Sequence, residues 1–478
     1  MRKIKVGILT FSDGRDYIHQ ELLDTNQCYQ ASLVAALRAT GRVDVVEGRE
    51  VIWNQRVAQH EGRWLAEAGC DLTICNYAIW CYPHLTAVAT AFAPGPYLLF
   101  CNVNPSEPGM VGMLAAAGTM DQLGRPYSRV WGEIEEPDVL DRVMQYILAA
   151  GALSMLKGQT YGLFGGRPLG MYTAVSNLDQ WQSLFGLDVE HVEQEDLVRY
   201  SQKVDNDRVE KAFAWLEKYT GEIKYDGEGL TPEKLKLQIR SYHAFRQIIE
   251  ERGLDFVGTK AHGDLTDTFV TMDIAEAFLN DPYDWEGPHE PIVASTEADM
   301  DGALTMQIFK LITGEPVLFS DVRHYDAEDD VWYFSNSGTH ATYFAGRSRD
   351  PAENLKHVSF FPEASYYPAG GGSVHHFAAA GEVTLARLAR KEGRYWMAVV
   401  PGEFVQFPLD VMVEKGSTVT PEWPIAFTRI QSPADDFLAR FPCNHIHGCY
   451  GNWVEELKHI GRILGIETEV FGATPAGC

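Results

Sequence analysis

The sequence predicts an α/β protein with two doubly wound, Rossmann-like domains followed by a β-rich C-terminal domain. Three observations carry this. Apolar runs alternate with helical patterns through the first 155 or so residues, the signature of a parallel sheet with crossover helices. In the stretch 291–326, the run Pro-Ile-Val-Ala delivers Glu297. A helical pattern follows, with Leu304, Ile308, Leu311 and Ile312 on one face, and a second run, Val317 to Phe319, delivers Asp321. Between 331 and 430 the texture changes to short β-rich runs punctuated by glycine and proline, as in a barrel or a sandwich.

Taken in order, residues 3–11 form a nearly unbroken apolar run, expected as a strand buried on both faces. A helical stretch (16–40), a strand (43–46), a helix (55–69) and strands at 72–77, 97–103 and 128–132 complete a domain assigned to residues 1–156. A second α/β domain is assigned to 157–315. Its first strand runs into Gly162-Leu-Phe-Gly165-Gly166-Arg-Pro-Leu-Gly170, whose spacing is wrong for a dinucleotide site and whose proline breaks the helix start a phosphate needs. Helices follow at 207–219 and 231–252, the latter announced by Thr231 as N-cap, Pro232 at the first position and Glu233 in the first turn. The strand at 254–258 is expected beside the one ending at Glu297. The C-terminal domain is assigned to 316–478.

Composition narrows the function. A formal charge of −26 argues against nucleic acid or an anionic membrane as the main partner. No apolar run approaches the length of a membrane helix, and Met-Arg-Lys-Ile-Lys leads straight into a strand, so neither a membrane span nor a signal peptide is expected. Eight cysteines without a CxxC pair suit reduced thiols in the cytoplasm.

The chemistry concentrates at 291–326. Carboxylates at the C-terminal ends of strands, where open α/β sheets bind ligands, can hold a divalent metal or move protons. Structural roles compete: Asp299 and Asp301 can both cap the helix that follows, Asp301 being well placed to do so, and Asp321 can simply end a strand. Oxygen ligands plus one imidazole suit Mn²⁺ better than zinc. Candidate imidazoles are His262, His340, the pair His375 and His376, and His445 with His447. The last two are expected to split between opposite faces of an extended segment, so that one of them serves a given site.

A sequence of landmarks now stands out: Asp13-Gly14-Arg15, Trp80-Cys81-Tyr82, Asn104-Pro-Ser-Glu-Pro-Gly109, Glu297 with Asp321 twenty-four positions on, Gly370-Gly-Gly372, Pro421-Glu-Trp423-Pro424 and Asn444-His445. In order and spacing it resembles the L-fucose isomerase family, whose wider relatives include L-arabinose isomerases. The resemblance implies an aldose–ketose isomerase working through a cis-enediol, with Mn²⁺ held by Glu297, Asp321 and His445, and with Glu297 and Asp321 as the acid/base pair. It implies a barrel in the C-terminal domain and a homo-trimer or homo-hexamer with shared active sites. Arg15, Trp80 (from a neighbouring subunit), Trp423, His262 and Asn444 match positions lining the sugar pocket. Departures from the family pattern, with Arg167 replacing a small residue, leave room for an anionic aldose such as sulfoquinovose, whose isomerases are relatives of this fold. A non-catalytic sugar-binding protein is the remaining alternative, and a metal requirement distinguishes it.

Overall fold

The computed structural model describes residues 2–337 and 339–473, so Cys478 lies outside the described residues. Two compact units emerge, Met1–Met155 with Glu455–Gly465, and Leu156–Val454 with Ile466–Cys478.

In the first unit, strands Ile4–Thr10, Val43–Glu47, Leu72–Tyr77, Tyr97–Cys101 and Tyr127–Trp131 pair in parallel in the spatial order second, first, third, fourth, fifth. This is a doubly wound order. The apolar run at 3–11 becomes the second strand in space, flanked on both sides, and within Ile4–Thr10 all residues but Lys5 are buried. The helical stretch at 16–40 is interrupted at Leu22 into Asp16–Glu21 and Leu23–Ala39. Helix Pro137–Leu156 has the length and apolarity of a membrane span, which the reading of the sequence did not anticipate, with a mean hydropathy of 1.3. It is two-thirds buried, packed as a core helix, and Tyr146 on it meets His459 edge to face at 5.3 Å.

The second unit begins with four parallel strands in the order Ala294–Thr296, Phe256–Thr259, Thr160–Phe164, Asp188–Val192. The strand before His262 is therefore neighbour to the strand before Glu297, as expected. Thr231 caps helix Pro232–Arg252 by accepting from the Lys234 amide, and Gly253 ends it in the left-handed conformation. The stretch 291–326 does not return to this sheet. Helix Met300–Thr313 ends at Gly314, and the chain then enters strand Leu318–Asp326, which is antiparallel to both of its neighbours. The expected strand–helix–strand unit is thus a passage from one sheet to another.

The β-rich region is a barrel. Strand Gly381–Lys391 pairs with His445–Tyr450, then in succession come Leu318–Asp326, Val331–Ser335, Ile425–Ile430 and Arg394–Phe404, which pairs back with Gly381–Lys391. Closure leaves no free edge among these six strands. Glu467–Val470 adds in parallel to the outer part of Arg394–Phe404. The run at 358–361 belongs elsewhere: Ser359–Pro362 pairs with Gly372–His375 and with Glu222–Ile223 in a separate small sheet.

One glycine shows how tightly the parallel sheet is packed. A methyl at Gly258 would collide with the Tyr161 hydroxyl and with Ser295 Oγ on the two flanking strands, and Tyr161 is fully buried and cannot retreat. Gly258→Val is expected to lower stability by about 1–3 kcal/mol through overpacking. Chemical denaturation measures it, and unchanged stability would contradict the packing described.

Candidate active site

Three structural devices bring the site together. The first is a strained turn. Strand Ala294–Thr296 ends, and Glu297 (φ 56°) and Ala298 (φ 45°) both take the left-handed conformation that side chains rarely adopt. The Ala298 amide donates to Thr259 O at 2.8 Å, which ties the turn to the neighbouring strand. Asp299 then caps helix Met300–Thr313, accepting from the Gly302 amide at 2.9 Å. The cap is therefore Asp299 and not Asp301. Asp301 lies in the first turn, where it accepts from Tyr395 Oη at 2.6 Å and Arg390 Nε at 2.8 Å.

The second device is register. Asp321 and His445 are direct partners across the antiparallel pair Leu318–Asp326 and His445–Tyr450, so their side chains share a face. His445 and His447 also share that face, contrary to expectation, because residues two apart in a strand point the same way. Phe319 lies against both imidazoles, with centroids 4.7 and 4.8 Å away.

The third device is a buried ion pair. Arg387, in the middle of barrel strand Gly381–Lys391, donates to both oxygens of Asp299 (2.5 and 3.0 Å), to Thr173 O (2.9 Å) and to His447 Nε2 (3.0 Å). Both charges are almost entirely removed from solvent. Burial would push the Asp299 carboxyl up, but Arg387 and His445 hold it well below the usual carboxylate range. Burial and the Arg387 charge keep His447 neutral, consistent with its Nε2 accepting from Arg387.

Asp299 also accepts from His445 Nδ1 at 2.7 Å. That bond fixes the tautomer and points Nε2 at two carboxylates, 3.3 Å from Glu297 Oε2 and 3.4 Å from Asp321 Oδ1. His445 Nε2 is buried and has no well-formed hydrogen bond. Glu297 is further approached by His262 Nε2 at 3.6 Å. Burial opposes its charge, yet the two imidazoles hold it down at about 2. Asp321 is raised, chiefly by burial, against the pull of His445 and the amides of Asn336 (2.9 Å) and Asn444 (3.1 Å).

Among the described residues no group of three or more histidine, cysteine, aspartate or glutamate side chains stands arranged to hold a metal ion. The donor set nevertheless fits a hard or borderline cation: two carboxylates and one imidazole, whose free nitrogen faces both acids while its other nitrogen is held by a carboxylate, as metal-binding histidines usually are.

A cavity of about 730 Å³ opens on this cluster, lined by Glu297, Asp321, His262, Trp423, Asn444 and Arg323 among others. His445 stands directly behind the two acids, fully buried. Trp423 is oriented by donating Nε1 to Glu363 Oε1 at 2.5 Å. A larger cavity of about 890 Å³ shares Tyr367 but contains none of the carboxylate–imidazole cluster, so size alone does not mark the site. Of the remaining candidates, Arg167 is exposed, stands 5.0 Å over the Tyr172 ring and is absent from the lining. Arg15 and Trp80 belong to the first unit, where Arg15 pairs with Asp13 at 2.7 Å. His375 contacts Trp423 O at 2.9 Å, and His340 and His376 are buried with rings 5.8 Å apart; none of the three lines the cavity. Sequence reasoning missed the orienting role of Asp299, and missed Arg387 and Arg323. Arg387 did leave a signal, as a lone charge inside the run Val-Thr-Leu-Ala-Arg-Leu-Ala.

Comparison with known proteins gives the class. Three family models match, described as the first N-terminal domain (residues 3–158), the second N-terminal domain (253–314) and the C-terminal domain (334–471) of L-fucose isomerase. Together they span well over half of the chain. Curated L-fucose isomerases align almost end to end. That of Haemophilus influenzae (strain PittEE) is 24% identical across 97% of this chain and 92% of its own length, and that of Bacteroides thetaiotaomicron is 23% identical across 98% and 95%. That of Klebsiella pneumoniae subsp. pneumoniae is 24% identical across 96% and 91%. The fold, the site and these relatives define an enzyme that interconverts an aldose and a ketose. The chain belongs to the L-fucose isomerase family.

The Asp299–Arg387 pair gives a direct test of how the site is held. Arg387→Met leaves the Asp299 charge buried without its main partner, a situation that typically costs about 3–5 kcal/mol. Chemical denaturation is expected to show a loss of that size, and a variant as stable as the parent would contradict it.

Proposed function

We propose that the enzyme isomerises an open-chain aldose through a cis-enediol, in a divalent-metal site formed by Glu297, Asp321 and His445, with Mn²⁺ the cation the donor set suits best. The observation that carries this is His445 Nε2, buried, free of a well-formed hydrogen bond and facing both carboxylates at 3.3 and 3.4 Å. A bound cation supplies Lewis-acid polarisation of the sugar's oxygens and offsets the mutual repulsion of the two acids.

The chain's own residues do the rest. Glu297 and Asp321 both line the cavity and form the acid/base pair that takes the proton from C2 of the aldose and returns one to C1 of the ketose. The strained turn fixes Glu297 in place. Asn336 and Asn444 fix Asp321 by donating to its separate oxygens. His262 holds the far oxygen of Glu297. Trp423 offers an aromatic wall to the apolar faces of a sugar, and the burial of the cluster keeps bulk water from competing for the enediol's protons.

The wider setting belongs to the same proposal. The chain is divided as 1–156, 157–315 and 316–478, works in the cytoplasm, and assembles as a trimer or hexamer with shared active sites. The neutral sugars to try first are L-fucose and D-arabinose, by likeness to the relatives. A metal requirement separates this reading from a sugar-binding protein without catalysis.

Conversion of aldose to ketose, followed by NMR with and without Mn²⁺, tests the reading. Metal-dependent conversion is expected, and Asp321→Asn is expected to abolish it and weaken Mn²⁺ binding. Full turnover by that variant would remove Asp321 from the mechanism. Separately, Asp299→Asn is expected to weaken Mn²⁺ binding about 10- to 100-fold by loosening His445, as read by calorimetry on the purified protein.

A further inference from the structure

The cavity holds a cation that a neutral sugar does not require. Arg323 is the only lysine or arginine among the described residues that line it, two positions after Asp321 on the same strand. Strand Leu318–Asp326 runs in register with Val331–Ser335 through Asp321 opposite Ser335 and Val322 opposite Phe334, and then slips, so that His324 comes opposite Tyr333. Arg323 is the extra residue of this bulge. Without it, the ladder would continue and the residue after Val322 would face Tyr333.

The guanidinium is held from two sides. Nη2 donates to Thr420 Oγ1 at 2.9 Å, and Cζ stands 5.3 Å from the centroid of Trp423. Both partners belong to the same segment, 420–423, and Trp423 is itself anchored to Glu363 and through its carbonyl to His375. The geometry therefore fixes the plane of the guanidinium without neutralising it. Among the described residues no carboxylate forms a salt bridge with Arg323. The acids of the cavity are engaged elsewhere: Glu297 with His262 and His445, Asp321 with Asn336 and Asn444, and Asp267 with the Thr266 hydroxyl at 3.1 Å. An arginine offers five donors in a rigid fork suited to planar or tetrahedral anions, and Thr420 accepts one of them.

We propose that the substrate is an aldose bearing an anionic group (a phosphate ester, a sulfonate or a carboxylate) at the end remote from its carbonyl, and that Arg323 reads that group. This rests on the isomerase reading above and names the substrate class of the same site. Two arguments place the anion at that end. Glu297, Asp321 and Asp267 give the remainder of the lining a negative character, so Arg323 marks where a negative substituent is favoured. Arg323 and Asp321 also line the same cavity two positions apart on one strand, so a sugar whose carbonyl end lies at Asp321 can present its far end to Arg323. Arg167, the arginine singled out by the sequence, does not line the cavity, whereas Arg323, exposed like it, does, so the role of reading an anion passes to Arg323.

The experiment compares kcat/KM, with Mn²⁺ present, for pairs of aldoses that share every stereocentre and differ only at the terminal carbon. Across the aldohexose epimers, the neutral sugar is set against its 6-phosphate, its 6-deoxy-6-sulfonate and its uronate. One anionic series is expected to exceed its neutral twin by about tenfold or more, and the series that does so identifies the anion. Arg323→Gln is expected to cut the anionic-to-neutral ratio by about 10- to 100-fold, mainly through KM, with Arg323→Lys recovering part of the loss. Neutral sugars turned over as well as or better than every anionic twin overturn the proposal and leave the isomerase reading standing. So does a ratio that falls in Arg167→Gln and holds in Arg323→Gln. Absence of conversion for every sugar, neutral or anionic, overturns both.

Discussion

The site depends on one carboxylate that is not exposed to the cavity. Asp299 caps the helix behind the strained turn, neutralises the buried Arg387 and accepts the Nδ1 proton of His445. Each bond joins it to a different part of the second unit: the helix leaving the parallel sheet, a barrel strand, and a second barrel strand. A carboxylate so deeply buried persists as an anion only because these donors converge on it. The orientation of His445, and hence the meeting of imidazole and acids, follows from that convergence.

Around Asp299, the two halves of the second unit contribute unequal devices. The parallel sheet supplies Glu297 by strain, with two consecutive residues in the left-handed region, a distortion of about 1–3 kcal/mol per residue that the surrounding structure must hold in place. The barrel supplies Asp321 and His445 by register, with no strain at all. Two residues further on, the same barrel strand breaks its register at Arg323. One strand thus brings both an acid and, two residues on, a cation to the same cavity.

Much of this was legible in the sequence. The nearly unbroken apolar run of residues 3–11 identifies a strand covered on both faces, and the Thr231-Pro232-Glu233 signal places a helix start to the residue. Glu297 and Asp321 are visible as acids at the ends of apolar runs. Their meeting is not, because it depends on a change from parallel to antiparallel sheet that local patterning does not encode. The barrel closure is invisible for the same reason, since the pairing of Gly381–Lys391 with His445–Tyr450 joins residues far apart in the chain. Asp299 looked like an ordinary capping candidate, and it is one. Its bonds to Arg387 and His445 reach across 88 and 146 residues. The bulge at Arg323 leaves no local mark, because the slip is defined by the partner strand.

The central claim is that Glu297, Asp321 and His445 surround one cation. Crystals of the protein grown with Mn²⁺, with diffraction recorded on either side of the manganese absorption edge, test it most directly. The account predicts a single anomalous peak within about 2.3 Å of His445 Nε2 and of an oxygen from each of Glu297 and Asp321. A well-ordered crystal in which manganese occupies another position while these three side chains remain free of it would contradict the account.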